Sequence, residues 1–253
     1  MLPKIEQTHL VVDPFHTDFS GALNYETLGK HLLNAAENHA CGRGFGMKAV
    51  NDASYTWVLS RLTIEMECMP RVYEPFILST WVESLYRTFT NRNYSIKSPD
   101  GEVYGYARSI WAMINYDTRQ SADLEQLHGD AFAPYICPEE PCPIDKPGRV
   151  RPLTDDKLCT TIQTNYSDID YNGHVNSIKY IEHICNLFSL AHYRSHRLRR
   201  VEMAYMAESH FGDTLSFFMN QRDALTYEVE IRKNYVPNTE KGEAVVRCLL
   251  IFQ

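Results

Sequence analysis

Hydrophobic and polar positions follow one order twice along the chain: a strand, a long helix, then a run of strands. Apolar side chains such as Leu28 and Leu32 return every three or four residues through residues 23–40, which is typical of a helix with one buried face. Ile178 and Ile181 begin a second such pattern, which predicts a helix running to about residue 193. Alternating or continuous apolar runs predict strands at residues 5–12, 57–68, 76–84, 89–98 and 102–115, then 158–165, 201–208, 214–221, 224–236 and 243–252.

The two halves also match in sequence. Residues 18–24 (DFSGALN) align with residues 170–176 (DYNGHVN) at a constant offset of 152, and the two segments share Asp, Gly and Asn. Residues 62–68 align with 201–207 at an offset of 139, which places a loop 13 residues longer after the first helix. We therefore predict an α+β protein made of two copies of one unit, each a long helix wrapped by an antiparallel β-sheet.

Proline marks the expected boundary between the copies. Six of the 12 prolines fall within residues 133–153. Because proline fixes φ and removes a backbone donor, this segment is predicted to be an extended connector. The expected domains are residues 1–132, a proline-rich linker at 133–153 and residues 154–253.

Composition excludes several classes of protein. A net charge of -7 argues against general nucleic-acid binding, which requires a basic surface. Apolar runs are far shorter than the roughly 20 residues of a membrane-spanning helix, and the first residues lack the pattern of a secretory signal. The seven cysteines form no C-x-x-C pair, so we interpret them as reduced thiols. The expected location is the cytoplasm, without membrane insertion.

The richest group of polar residues lies in segment 166–176, between a strand and the second predicted helix. Asp170, Asn172 and His174 alternate there, close to a helix N-terminus whose unpaired N–H groups and dipole favour negative charge. Such a position suits the stabilisation of an oxyanion. The pattern is therefore a candidate catalytic segment.

Two other interpretations of this segment are weaker. Asp168, Asp170, Asn172 and Gly173 match the opening of a calcium-binding EF-hand loop, but Lys179 stands where the loop requires a bidentate acid. Helix capping explains Asn176 but not three alternating polar residues. We expect no metal and no cofactor.

The pattern D-x-N-x-H-V-N at residues 170–176, with Tyr180 one turn later, resembles the catalytic segment of acyl-ACP thioesterases, which hydrolyse the thioester between a fatty acid and acyl carrier protein. Tyr205 and Glu208, followed by Gly-Asp, resemble the strand on which that family places its catalytic Glu. The first half also resembles the family's N-terminal pattern, at Trp57, Arg61, Ile64, Pro70, Thr80, Trp81, Arg92, Ser109, Trp111, Thr118 and Arg119. The fold implied by the resemblance is a tandem pair of hotdog domains.

The resemblance implies one catalytic set, in the second half. Its members are Asp170, Asn172, His174 and Glu208, with the backbone N–H groups of Gly173, His174 and Val175 holding the oxyanion. Either Glu208 or Asp170, oriented by His174, would activate water as a general base, or Asp170 would attack directly to form an anhydride.

The first half lacks this set. Ser20 and Ala22 replace the Asn and His, and Met69 aligns with Glu208. We expect the first half to shape the cavity for the acyl chain and Asp18 to cap a helix. Ser209 follows Glu208 where some relatives have Cys, which disfavours a Cys-His mechanism.

The expected reaction is hydrolysis of fatty acyl-ACP to a free fatty acid, in fatty acid biosynthesis. The alternatives are an acyl-CoA thioesterase of the hotdog superfamily and a non-catalytic lipid-binding hotdog protein. Acyl carrier protein, the expected partner, is acidic, so a basic run is a candidate docking site, although cations at a helix C-terminus also explain it. That run comprises Arg194, Arg197, Arg199 and Arg200. Chain-length preference and oligomeric state, including a homodimer, stay open.

Overall fold

The fold uses the same combination of helix and five antiparallel strands twice. A computed structural model describes residues 2–148, 150–153, 157–236 and 241–253. The chain divides into two compact units, Met1–Pro147 and Gly148–Gln253, and the division falls inside the proline-rich segment. The predicted start of the second domain, residue 154, lies outside the described residues.

The first unit forms a sheet in the order β1-β3-β4-β5-β2, with every neighbouring pair antiparallel. Short 3₁₀ turns at Pro14–His16 and Ala133–Tyr135 accompany the longer elements. Those elements are β1 (Glu6–Val11), α1 (Tyr25–Cys41), α2 (Met47–Asn51), β2 (Tyr55–Met66), β3 (Pro75–Leu85), β4 (Phe89–Lys97), β5 (Val103–Asn115) and α3 (Leu124–Phe132).

Helix α1 follows the predicted pattern. The side chain of Asn24 caps its start by accepting a hydrogen bond from the Thr27 N–H at 2.7 Å. Leu28 and Leu32 have no exposed surface, and the burial of each stabilises the fold by about 1.5–3 kcal/mol. The apolar face read from the sequence is therefore the face that the helix buries.

The proline-rich segment is not a free connector, which corrects part of the prediction. The Cys137 N–H donates to the Val82 carbonyl at 2.8 Å, and Cys137 and Cys142 pack with Trp81 in a buried cluster. Arg108 Nε donates to the carbonyl of Ile144 at 3.0 Å. Residues 136–144 thus belong to the first unit, because their buried thiols and carbonyl groups find partners on its strands.

The second unit repeats the sheet in the order β7-β10-β9-β8-β6, again antiparallel between neighbours. A 3₁₀ turn at Tyr166–Asp168 precedes its main helix. The elements are β6 (Lys157–Gln163), α4 (Ser177–Cys185), α5 (Leu190–Ser195), β7 (Leu198–Tyr205), β8 (Thr214–Gln221), β9 (Thr226–Val236) and β10 (Lys241–Phe252). The predicted α+β class and the ten predicted strands are confirmed.

The prediction of one continuous helix in the second half was wrong. Helix α4 ends at Cys185, and a separate helix α5 begins after Ser189, whose side chain accepts a hydrogen bond from the His192 N–H at 3.2 Å. The break brings the Phe188 ring to 5.0 Å from that of Phe252. A local cap and an aromatic contact therefore outweigh continuation of the helix.

The predicted alignment of the two halves is confirmed by equivalent hydrogen bonds. The Leu23 N–H donates to the Pro70 carbonyl at 2.9 Å, and the Val175 N–H donates to the Ser209 carbonyl at 2.8 Å. Leu23 and Val175 are related by the offset of 152, and Pro70 and Ser209 by the offset of 139. Each unit therefore joins the entry of its helix to the segment after a strand in the same way.

Two global features bear on the expectations from composition. Across the described residues, no helix combines the length and the apolar character that a membrane crossing demands. All seven cysteines fall within the described ranges and are free thiols.

A buried histidine makes the stability of the first unit depend on pH. His39 is 1% exposed, and its Nε2 lies 3.0 Å from the Lys4 carbonyl. Burial, followed by the charges of Arg92 and Arg43, lowers the pKa of His39 to about 3. In the unfolded chain His39 binds a proton below about pH 6.5, whereas in the folded unit its ring stays neutral. Stability therefore falls as the pH drops below about 6.5.

We expect the free energy of unfolding to fall by about 2 kcal/mol more between pH 7 and pH 5 in the native chain than in His39→Gln. Glutamine keeps a donor for the Lys4 carbonyl but does not titrate. Urea unfolding at the two pH values measures the difference. Equal pH dependence in the two proteins would show that His39 titrates normally.

Candidate active site

A tight turn ahead of α4 is built by Asp170. Its Oδ1 atom accepts the N–H groups of Asn172 at 2.9 Å and His174 at 3.3 Å, and its own N–H donates to the His174 carbonyl at 2.8 Å. Gly173 has φ +82°, a left-handed conformation that glycine adopts without strain. The Asp and the Gly of the motif therefore shape the backbone that carries Asn172 and His174.

The first unit builds the same turn without the same chemistry. Asp18 Oδ1 accepts the N–H groups of Ser20 at 2.7 Å and Ala22 at 3.4 Å, and Gly21 has φ +78°. Asp18 was expected to cap a helix, and this is wrong, because Asn24 is the cap. The residues shared by the two copies are thus the ones that the turn requires.

Helix α4 begins directly after the turn. The Asn176 side chain accepts a hydrogen bond from the Ile178 N–H at 2.9 Å, so the predicted cap is confirmed. Tyr180 lies on the buried face of the helix, and burial raises its pKa to about 12. Tyr180 is therefore a neutral phenol packed behind the turn.

His174 and Glu208 lie side by side. His174 Nε2 is 3.6 Å from Glu208 Oε2, which is within ion-pair distance but too long for a good hydrogen bond. Strand β7 ends at Tyr205, so Glu208 lies beyond the strand predicted to carry it, and Lys233 Nζ donates to its carbonyl at 2.8 Å. The two side chains are 30% and 34% exposed, so water reaches both.

The other predicted residues stand around this pair. Asn172 is exposed on the turn, so its amide is available to a bound molecule. The Asp170 carboxylate instead faces the N–H groups of its own loop. The sequence analysis treated these residues as one group. In the structure, His174 and Glu208 form a pair, whereas Asp170 holds the turn.

The three backbone N–H groups expected to hold an oxyanion are engaged within the protein, which corrects that expectation. Gly173 N–H donates to the Asp170 carbonyl at 3.0 Å, and His174 N–H donates to the Asp170 carboxylate at 3.3 Å. Val175 N–H donates to the Ser209 carbonyl at 2.8 Å. These donors hold the turn and its neighbouring segment, so side-chain donors are better placed to stabilise an oxyanion.

A buried pair behind the turn was not predicted. Asp168 is 5% exposed, its Oδ1 lies 2.9 Å from His183 Nε2, and its Oδ2 accepts the Asn165 N–H at 2.7 Å. The pair ties the 3₁₀ turn to α4. The offset of 152 places His31 opposite His183, and this repeated histidine was the signal in the sequence that could have revealed the position.

The four arginines of the predicted basic run differ in how far they are buried. Arg194 and Arg197 are exposed, and Arg199 is half-buried. Arg200 is 7% exposed, and its Nε donates to Glu202 Oε1 at 2.7 Å, so Arg200 is removed from the candidate docking site.

Family models match both units. The model of the acyl-ACP thioesterase N-terminal domain matches residues 5–132, and that of the C-terminal domain matches residues 153–252. The chain belongs to the acyl-ACP thioesterase family. The expected family and its tandem hotdog fold are confirmed.

Members of the acyl-ACP thioesterase family with solved structures resemble the whole chain. A crystal structure of an acyl-ACP thioesterase from Bacteroides thetaiotaomicron is 50% identical, with a TM-score of 0.91 over 99% of this chain and 98% of that one. The 12:0-ACP thioesterase from Umbellularia californica is 15% identical, and its TM-score of 0.85 over 100% of this chain and 98% of that one supports the fold alone.

A plant member of the family matches at an identity between those of the two solved structures. The chloroplastic palmitoyl-acyl carrier protein thioesterase of Gossypium hirsutum is 25% identical over 237 residues. The match covers 88% of this chain and 57% of the relative, so the chain spans little more than half of that protein's length.

Substitution of Asp170 separates its role in the turn from a role in catalysis. Asparagine keeps an oxygen that accepts both N–H groups, so Asp170→Asn should retain hydrolysis of an acyl-ACP within about tenfold of the native rate. Asp170→Ala should lose about 1–3 kcal/mol of stability, because the two N–H groups lose their acceptor. Steady-state rates and urea unfolding measure the two effects.

The matched controls are Asp18→Asn and Asp18→Ala in the first unit. They should change stability in the same direction, with the rate of hydrolysis unchanged. A loss of 100-fold or more in a folded Asp170→Asn protein, as removal of a general base causes, would assign Asp170 to the chemistry instead.

Proposed function

We propose that this member of the acyl-ACP thioesterase family hydrolyses fatty acyl-ACP to a free fatty acid and ACP, in fatty acid biosynthesis. One observation carries the proposal. Both units build the same turn, but only the second places Asn172 and His174 on it with Glu208 alongside. The equivalent positions of the first unit hold Ser20, Ala22 and Met69, so the fold does not need the polar set.

Glu208 is the proposed general base. Its carboxylate is partly exposed and lies 3.6 Å from His174 Nε2, so the imidazole can orient it while water approaches. A water molecule gives a proton to Glu208 as its oxygen attacks the thioester carbon. Catalytic contacts often shorten once substrate is bound, which accommodates the 3.6 Å separation. Asp170 has the supporting task of holding the turn.

The negative charge that develops on the thioester oxygen needs a donor. The Asn172 amide, exposed on the turn, is the proposed donor, since the neighbouring backbone N–H groups are engaged and the His174 ring faces Glu208. Preorganised donors of this kind contribute strongly to acyl transfer. The tetrahedral intermediate then collapses, the carbon–sulfur bond breaks, and the proton held by Glu208 passes to the departing thiolate.

The first unit is proposed to shape the cavity that receives the acyl chain. Its turn carries no equivalent of the polar set, because Ser20 and Ala22 replace the Asn and the His, so a role other than chemistry is left to this unit. Chain-length preference would follow from the depth of that cavity.

Acyl carrier protein is the proposed partner, and Arg194 and Arg197 are its proposed docking residues. Both are exposed on a chain whose net charge is -7, so they form a local basic site for an acidic carrier. A cytoplasmic location is also proposed, supported by seven free thiols. A molar-mass measurement in solution decides between a monomer and a homodimer.

Replacement of the base tests the proposed chemistry. Glu208→Gln keeps the shape of the side chain but cannot accept a proton, so kcat for acyl-ACP should fall by about 10²- to 10⁴-fold. The control is Glu67→Gln, an exposed Glu close to the equivalent segment of the first unit, which should keep the native rate. Near-native hydrolysis by folded Glu208→Gln would exclude Glu208 as the base.

Reversing the charges of the two arginines tests whether acyl carrier protein docks there. Arg194→Glu and Arg197→Glu, combined, should raise KM for acyl-ACP at least tenfold and leave KM for the matching acyl-CoA within about twofold. Lys48→Glu, a single exposed charge reversal in the first unit, is the charge-matched control for each arginine changed alone. Faster turnover of acyl-CoA than of acyl-ACP by the native protein would favour the acyl-CoA thioesterase alternative, and equal shifts in both KM values would exclude docking at these arginines.

A further inference from the structure

Three potential metal ligands meet at the mouth of the proposed active site. One ligand atom from each of His174, Glu208 and His210 lies within 4.8 Å of the other two. We infer that these residues form an inhibitory binding site for a zinc-type divalent cation. The inference rests on the proposed function, because inhibition requires that Glu208 and His174 take part in hydrolysis.

The donor set and its dimensions suit zinc. Two imidazoles and one carboxylate are a common zinc ligand set, with bonds of about 2.0–2.2 Å that place tetrahedral donors roughly 3.3–3.5 Å apart. His174 Nε2 and Glu208 Oε2 are already 3.6 Å apart. His210 is 57% exposed, so a change of rotamer can bring its ring closer to the ion. Magnesium and calcium prefer oxygen ligands and fit this set poorly.

Neighbouring charges support the same site. Asp213 Oδ2 lies 4.0 Å from His210 Nδ1, which is too long for a hydrogen bond but places a negative charge close to the proposed cation. Asp213 Oδ2 also accepts the His210 N–H at 2.8 Å, so it stays close to that residue. The nearby ammonium group of Lys233 is paired with Glu243 at 3.0 Å, which balances its charge.

The first unit shows that the fold does not require the three ligands. His174 and His210 face each other through a bridge between their backbones, and the equivalent bridge in the first unit joins Ala22 and Arg71. His210 is therefore free to serve a purpose other than folding. A bound cation would occupy the Glu208 carboxylate and the His174 ring, and so prevent Glu208 from accepting a proton from water.

The experiment titrates zinc into the metal-free native protein with a chromophoric chelator as competitor, and measures acyl-ACP hydrolysis in parallel. One equivalent should bind, hydrolysis should fall at least tenfold on saturation, and EDTA should restore it. His210→Gln should weaken zinc binding at least tenfold and relieve inhibition to the same degree. His9→Gln, an exposed histidine on β1, is the control that should bind and respond as the native protein does.

The outcomes separate this inference from the proposed function. Equal zinc affinity in the native protein and His210→Gln, or a rate that rises with zinc, would overturn the inhibitory site. Absence of hydrolysis in metal-free protein would overturn the proposed function, while the chelator competition would still report whether the three residues bind zinc. Magnesium at the same concentrations should neither bind tightly nor inhibit.

Discussion

The structure around the site depends on one carboxylate that accepts backbone N–H groups within its own loop. Asp170 holds Asn172 and His174 in a turn through these bonds, and Gly173 supplies the left-handed residue that closes it. The turn sets where α4 starts and brings the neighbouring segment with Glu208 into contact through the Val175 hydrogen bond. Local backbone geometry therefore places Asn172 and His174, and one hydrogen bond between distant segments, from the Val175 N–H to the Ser209 carbonyl, brings Glu208 beside them.

Duplication within the chain separates structural from chemical residues. In a single site, an Asp beside an Asn and a His looks like a member of a catalytic set. The first unit keeps Asp18 and Gly21 in the same turn while Ala22 replaces the His, so the Asp is needed even where there is no polar set to position. A residue shared by both copies is explained by folding, and a residue found in one copy requires another explanation.

Sequence predicted the strands, the α+β class and the two offsets, because alternation and helical periodicity are local signals. It did not predict where helix α4 would stop, since that depends on the cap at Ser189 and the packing of Phe188. The sequence also did not show that the Val175 N–H is engaged, because its partner, the Ser209 carbonyl, is distant in sequence. Side-chain identity indicated the candidate residues, and the hydrogen bonds show which of them hold the turn.

The exposure of His174 and Glu208 gives both water and small cations access to the candidate site. A hydrolase must admit water to its base, and His174 and Glu208 are each about a third exposed. The same access admits small cations, and the two groups that would orient and accept a proton are also metal donors. In the first unit, Ala22 and Met69 remove both capacities together without loss of the turn. In the proposed function, reactivity toward water and susceptibility to metal ions therefore arise from the same side chains, and the backbone turn forms with or without them.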